Sequence, residues 1–132
     1  GIPGIAPHEV AQGDRCVYWF YMFRMDFDAF TCDRATFYKA LRAEGVGCTT
    51  GYIRIPPHRN SVFLEHAFFN VHLPVKELGL TDMDYNKVNI PEAEAILTSG
   101  IRVFIHESNT DEQMRQTAQA IRKVANHYTK DV

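Results

Sequence analysis

Over residues 17–27 every second position is apolar, at the period of a strand. Val17, Trp19, Tyr21, Phe23, Met25 and Phe27 fall on one side. That spacing predicts a strand. Its opposite side holds Tyr18, Phe20 and Met22 before turning polar at Arg24 and Asp26, so half of the strand needs cover on both faces. The period then changes. Asp33 is placed to cap a helix running to about Glu44, with Phe37, Ala40 and Leu41 on one face and Gly45 where a left-handed cap ends a helix. Residues 46–53 read as a second strand.

Residues 54–90 keep no sustained period and contain Pro56, Pro57, Pro74, His58, His66 and His72. Irregular stretches of this length are uncommon unless they carry function or dock onto something, and short helical turns are expected inside this one. Pro91 suits the first turn of a helix through Thr98, with Gly100 ending it. Residues 101–106 form a third strand, apolar at Ile101, Val103, Phe104 and Ile105. Asn109 or Thr110 caps a final helix, and Thr110 with Gln113 makes a capping box. Along that helix Met114, Ala118, Ile121, Val124 or Ala125, and Tyr128 form one apolar stripe. The expected fold is a small two-layer α+β domain over residues 15–130, preceded by a lead-in or linker of residues 1–14. It has roughly three strands, mainly antiparallel, with helices on one face. The other face of the sheet would lack cover from this chain, which points to a missing partner.

Composition changes that picture little. At 132 residues, 45% hydrophobic and 23% charged, the chain has enough material for one core without metals or disulfides. A net charge of -2 argues against a nucleic-acid surface, and no apolar run reaches the length of a membrane span. Cys16, Cys32 and Cys48 are odd in number and dispersed, as expected of free thiols in a reducing cytoplasm. No secretory signal is expected from the Gly1-Ile2-Pro3-Gly4 start, and the Pro/Gly-rich lead without an initial Met reads as a piece of something longer.

Most candidate chemistry gives way to a plainer reading. The three loop histidines are separated by seven and five residues with no cysteine nearby, so no metal site is assigned. Cys48 reads as a buried strand thiol, not a nucleophile. Gly45-x-Gly47 leads into a strand, where a phosphate cradle needs a helix. The Tyr18–Phe23 aromatics suit a core strand better than stacked bases. One segment stays open. Tyr52, Arg54, His58, Arg59 and Asn60 follow a strand and are stiffened by Pro56 and Pro57, as in a ligand-binding loop. A surface loop with solvated charges fits the spacing equally well.

Here a resemblance enters. Arg24-Met25-Asp26 is followed by Asp33-Arg34, Phe37, Ala40-Leu41 and Glu44-Gly45-Val46. Gly51-Tyr52 is followed by Pro57-His58-Arg59-Asn60 and Phe63. Pro91-Glu92-Ala93-Glu94, residues 101–106, Thr110-Asp111-Glu112 and residues 120–124 complete the order. Together these resemble the C-terminal small domain of DegT/DnrJ/StrS sugar aminotransferases over residues 15–129. The resemblance implies a transferase that uses pyridoxal 5'-phosphate, held by a lysine of a large domain outside these residues. It implies a homodimer, a keto-sugar or keto-cyclitol acceptor, and glutamate or glutamine as amino donor. It implies that this domain alone is inactive and supplies no catalytic or cofactor-binding residue. Tyr52, Arg54, His58, Arg59 and Asn60 become the substrate contacts. His58 and Ser61 depart from the family's aromatic and proline at those positions. The alternative expectation is a free-standing α+β ligand-binding or interaction module.

Overall fold

The computed structural model describes residues 1–68 and 71–130. The chain divides into two compact units, residues 1–52 with 98–132, and residues 53–97. The first unit is built on a four-stranded sheet, in the order β1-β2-β4-β3, with every neighbouring pair antiparallel. Its strands are β1 (Ile5–Pro7), β2 (Phe20–Met25), β3 (Cys48–Thr49) and β4 (Gly100–Phe104).

Two long helices cover one face of that sheet. The first, α1 (Arg34–Ala43), starts where Asp33 accepts a 2.8 Å hydrogen bond from the Thr36 amide. Hydrogen bonding from Thr36, its side chain first and its amide second, lowers the Asp33 pKa. The helix ends as the sequence predicts. Gly45 adopts φ +85°, its amide donates to Arg42 O, and the Val46 amide donates to Leu41 O, which satisfies two of the last helical carbonyls. The C-terminal helix α4 (Asp111–Tyr128) opens with the capping box between Thr110 and Gln113, both bonds being present. Thr110 is the cap; Asn109 instead accepts the His106 amide.

The pleat decides which side chains meet these helices. Phe23 and Met25 of β2, Ile101 and Val103 of β4, and Cys48 of β3 point to the helical side. There they pack with Phe37 and Leu41 of α1 and with Ile121, Val124 and Ala125 of α4. The opposite side carries Phe20 and Met22 of β2, Arg102 and Phe104 of β4, and Thr49 of β3.

Several boundaries differ from the sequence reading. The strand expected over 17–27 is paired only from Phe20 to Met25, because its partner β4 ends opposite Phe20. Val17 and Trp19 are therefore exposed. The strand expected over 46–53 shrinks to Cys48–Thr49, the two residues that find partners on β4. Gly100 does not end the third helix but opens β4. The sheet has four strands, not three. The fourth comes from the lead-in, where Gly4 turns at φ +72° and its carbonyl accepts the Asp26 amide. Pro7 closes this edge strand, where its missing N–H costs no ladder bond. In α4 the stripe is buried at Ile121, Val124 and Ala125 and half-buried at Tyr128, while Ala118 is exposed.

The second unit is made of short pieces. A single 3-10 turn (Pro57–Arg59), the four-residue α2 (Ser61–Leu64) and a second 3-10 turn (Tyr85–Lys87) precede α3 (Pro91–Ser99), which runs into the first unit. The short helical turns expected in residues 54–90 are present. No helix among the described residues is long and apolar enough to cross a membrane.

Candidate functional site

Tyr52 belongs to the first unit, just past Gly51, whose φ of +112° turns the chain after β3. Its ring stacks on Phe20 at 5.5 Å and meets Trp19 edge-on at 5.6 Å. The Arg102 guanidinium is 5.1 Å from the Tyr52 ring centre and 5.2 Å from those of Phe20 and Phe104. Register explains the cluster. Phe20 faces Phe104 directly, and Arg102 lies on the same side of β4 as Phe104, two residues away. Three ring faces thus surround one cation, an electrostatically favourable arrangement. Beside them opens a cleft of about 680 Å³ lined by Tyr18, Trp19, Arg102, Phe104, His106 and Glu107 among others.

Arg102 and its cleft are absent from the expected site. One signal was available: a lone arginine in an apolar strand, in alternation with Phe104. The cross-strand register that brings Phe20 beside it cannot be read from sequence.

The other four expected residues lie in the second unit. Arg59 is engaged: its Nε and Nη2 both donate to Glu94 Oε1, at 2.9 and 2.7 Å. Asn60 caps α2, its side-chain oxygen accepting the Val62 amide. Arg54 is exposed with no hydrogen-bond or ionic partner among the described residues. His58 is half-buried, and its Nε2 is shielded from solvent without a hydrogen bond. The structure therefore leaves Arg54 and His58 with unused polar capacity and commits Arg59 and Asn60 to local structure.

Further along that unit, His72 Nδ1 faces the Glu65 carbonyl at 3.0 Å and its Nε2 faces Glu77 at 3.1 Å. Both acceptors favour the doubly protonated ring. The Glu65 carbonyl first, then Glu77, raise the His72 pKa above its ordinary value. Cys48 is buried, and burial raises its thiol pKa, which opposes nucleophilic use. Among the described residues no group of three or more His, Cys, Asp or Glu is placed to hold a metal ion.

A pyridoxal cofactor is held through a lysine amine. All five, Lys39, Lys76, Lys87, Lys123 and Lys130, are exposed. Lys123 pairs with Glu44, Lys87 with Asp84, and Lys130 donates to the Asp28 carbonyl. None is enclosed, as a Schiff-base lysine is, so these lysines do not fit a pyridoxal site.

No protein-family model matches the chain, and no curated protein matches it. Among solved structures the chain is similar to the aminotransferase TlmJ from Streptoalloteichus hindustanus, with a TM-score of 0.62 and 17% sequence identity. The likeness covers 96% of this chain and 27% of that one. The fold is that of an aminotransferase-like small domain. The chain spans about a quarter of the length of the enzyme it resembles.

Proposed function

We propose that this chain is the C-terminal small domain of a pyridoxal-phosphate-dependent aminotransferase of the DegT/DnrJ/StrS kind. The observation that supports this reading is the fold match over nearly the whole chain to a quarter of an aminotransferase. The ordered motifs from Arg24 to Val124 support it as well. In this reading the whole enzyme is a cytoplasmic homodimer. It moves an amino group from glutamate or glutamine to a nucleotide-linked keto-sugar or a keto-cyclitol. Pyridoxal 5'-phosphate supplies the electron sink for that transfer and is held by residues outside this chain. The chain alone is inactive.

Its own residues would contribute binding. Tyr52 on the first unit, and Arg54, His58, Arg59 and Asn60 on the second, are the proposed substrate contacts. Arg54 and His58 lead, because their polar groups are unspent; Arg59 would first have to leave Glu94. The second unit's exposed apolar side chains, Ile53, Ile55, Leu78 and Leu80 among them, suit contact with a large domain.

The test is to produce the protein from its complete coding sequence and record its spectrum. Bound cofactor absorbance that shifts on adding glutamate supports the reading, and a longer protein that carries no cofactor ends it. A second reading, a free-standing binding module, is favoured by the cleft beside Arg102 and would survive that failure.

A further inference from the structure

The Arg102 side chain combines three properties. Its Nε is shielded from solvent and makes no hydrogen bond. No carboxylate pairs with it among the described residues, and its recorded neighbours are the rings of Phe20, Tyr52 and Phe104. It also lines an open cleft of about 680 Å³, a volume within the ~300–1,000 Å³ range of small-molecule sites. A shielded N–H left unsatisfied costs free energy, and an acceptor that reaches the guanidinium relieves that cost. The aromatic ring faces balance the cation but offer its donors no hydrogen-bond acceptor.

We propose that this cleft binds a monoanionic aromatic carboxylate, its carboxylate on the Arg102 guanidinium and its flat ring on Trp19. Each part answers an observation. The planar guanidinium fork matches a carboxylate in two-point geometry. Trp19 keeps 74% of its surface exposed at the cleft, an apolar plane available for an offset-stacked ring. The Glu107 carboxylate at the same cleft repels additional negative charge, which favours a monoanion over a phosphate dianion. The proposal goes beyond the amino-transfer reading and stands independently of it, since it concerns only side chains of the first unit.

The experiment titrates the protein with benzoate, following the Arg102 Nε–H resonance in arginine-labelled material and the fluorescence of Trp19, the single tryptophan of the sequence. Acetate (charge without ring), benzyl alcohol (ring without charge) and inorganic phosphate are parallel arms. Benzoate is expected to shift the Nε–H signal and quench Trp19 saturably. Each of the other three should bind at least about tenfold more weakly, acetate and phosphate for want of the stacked ring and benzyl alcohol for want of the charge-assisted hydrogen bonds. Arg102→Gln should weaken benzoate by about tenfold or more, Arg102→Lys by less, and Trp19→Ala should weaken benzoate while leaving acetate unchanged. The proposal is overturned if benzoate leaves the Nε–H resonance in place, if Arg102→Gln binds it equally well, or if phosphate or acetate matches it. The resonance is read on the unaltered protein, so a variant that fails to fold does not spare the idea.

Discussion

The two units are stabilised by different physics. Every member of the buried hydrophobic cluster, from Phe23 to Ala125, belongs to the first unit. Among the described residues of the second, only Pro56 and His66 are buried. What orders the second unit is a set of individual contacts without a core: the Asn60 cap, the Asp84 side chain accepting the Asn86 amide, the Arg59–Glu94 pair, and the Phe63 and Tyr85 rings 5.3 Å apart. Apolar burial is additive over a contiguous core, whereas exposed ion pairs and single caps contribute ~1 kcal/mol or less each. The difference teaches where cooperativity resides. The first unit should unfold as a block, and the second should open at lower free energy.

The largest effect should come from the centre of the block. Phe37 is fully buried and packs edge-on to Phe30 at 5.4 Å. Phe37→Ala should cost about 3–5 kcal/mol, as deletions of a buried aromatic do. Urea unfolding should show the midpoint falling for the sheet and for α4 together. A loss confined to one element would break the claim of a single cooperative core.

Gly4 comes next. Its φ of +72° is costly for any other residue, and a Cβ there would lie 2.6 Å from Ala29 Cβ and from the Phe30 ring. Both neighbours are held in the core or against it. Gly4→Ala should therefore cost on the order of 1–3 kcal/mol through backbone strain alone. The Asp26 amide, which donates to Gly4 O, should lose hydrogen-exchange protection before the β2–β4 amides do. Unchanged protection at Asp26 would show that β1 does not depend on that turn.

The helices of the first unit were legible because their signals are local. Asp33, Gly45 and the Thr110–Gln113 box each act within a few residues, and each does what its chemistry predicts. Strand length was not legible. The apolar positions run through Val17 and Trp19 to Phe23 and Met25 without a break, but pairing stops where β4 stops, and within this strand only paired residues are buried. The three-residue β1 has no pattern of its own and exists because Gly4 folds it back onto Met25. The candidate site splits the same way. The cap that Asn60 makes on α2 involves only its own neighbourhood, although the sequence reading assigned Asn60 to the substrate. The engagement of Arg59 depends on Glu94, 35 residues away, and the cage around Arg102 on a cross-strand register.

The smallest expected effect sharpens the other half of the comparison, because it should be felt in the second unit alone. His72 is exposed, yet both ring nitrogens face acceptors, the Glu65 carbonyl and the Glu77 carboxylate. Only the protonated imidazole donates to both, so the folded pKa lies above the unfolded value near ~6.5. A raised folded pKa means a stabilising contribution fully present below about pH 6.5, and lost as pH rises through the folded pKa. A proton NMR titration should place the His72 midpoint above that of an unstructured histidine. Glu77→Gln should lower the midpoint without abolishing the shift, since the Glu65 carbonyl is the larger cause. Hydrogen exchange across the same pH range should loosen the Leu73 amide, which donates to His66 O, while β2 and β4 stay protected. Equal loosening in both places would mean that the two units share one cooperative transition after all, and that the contrast between burial and local bonding does not set their stabilities.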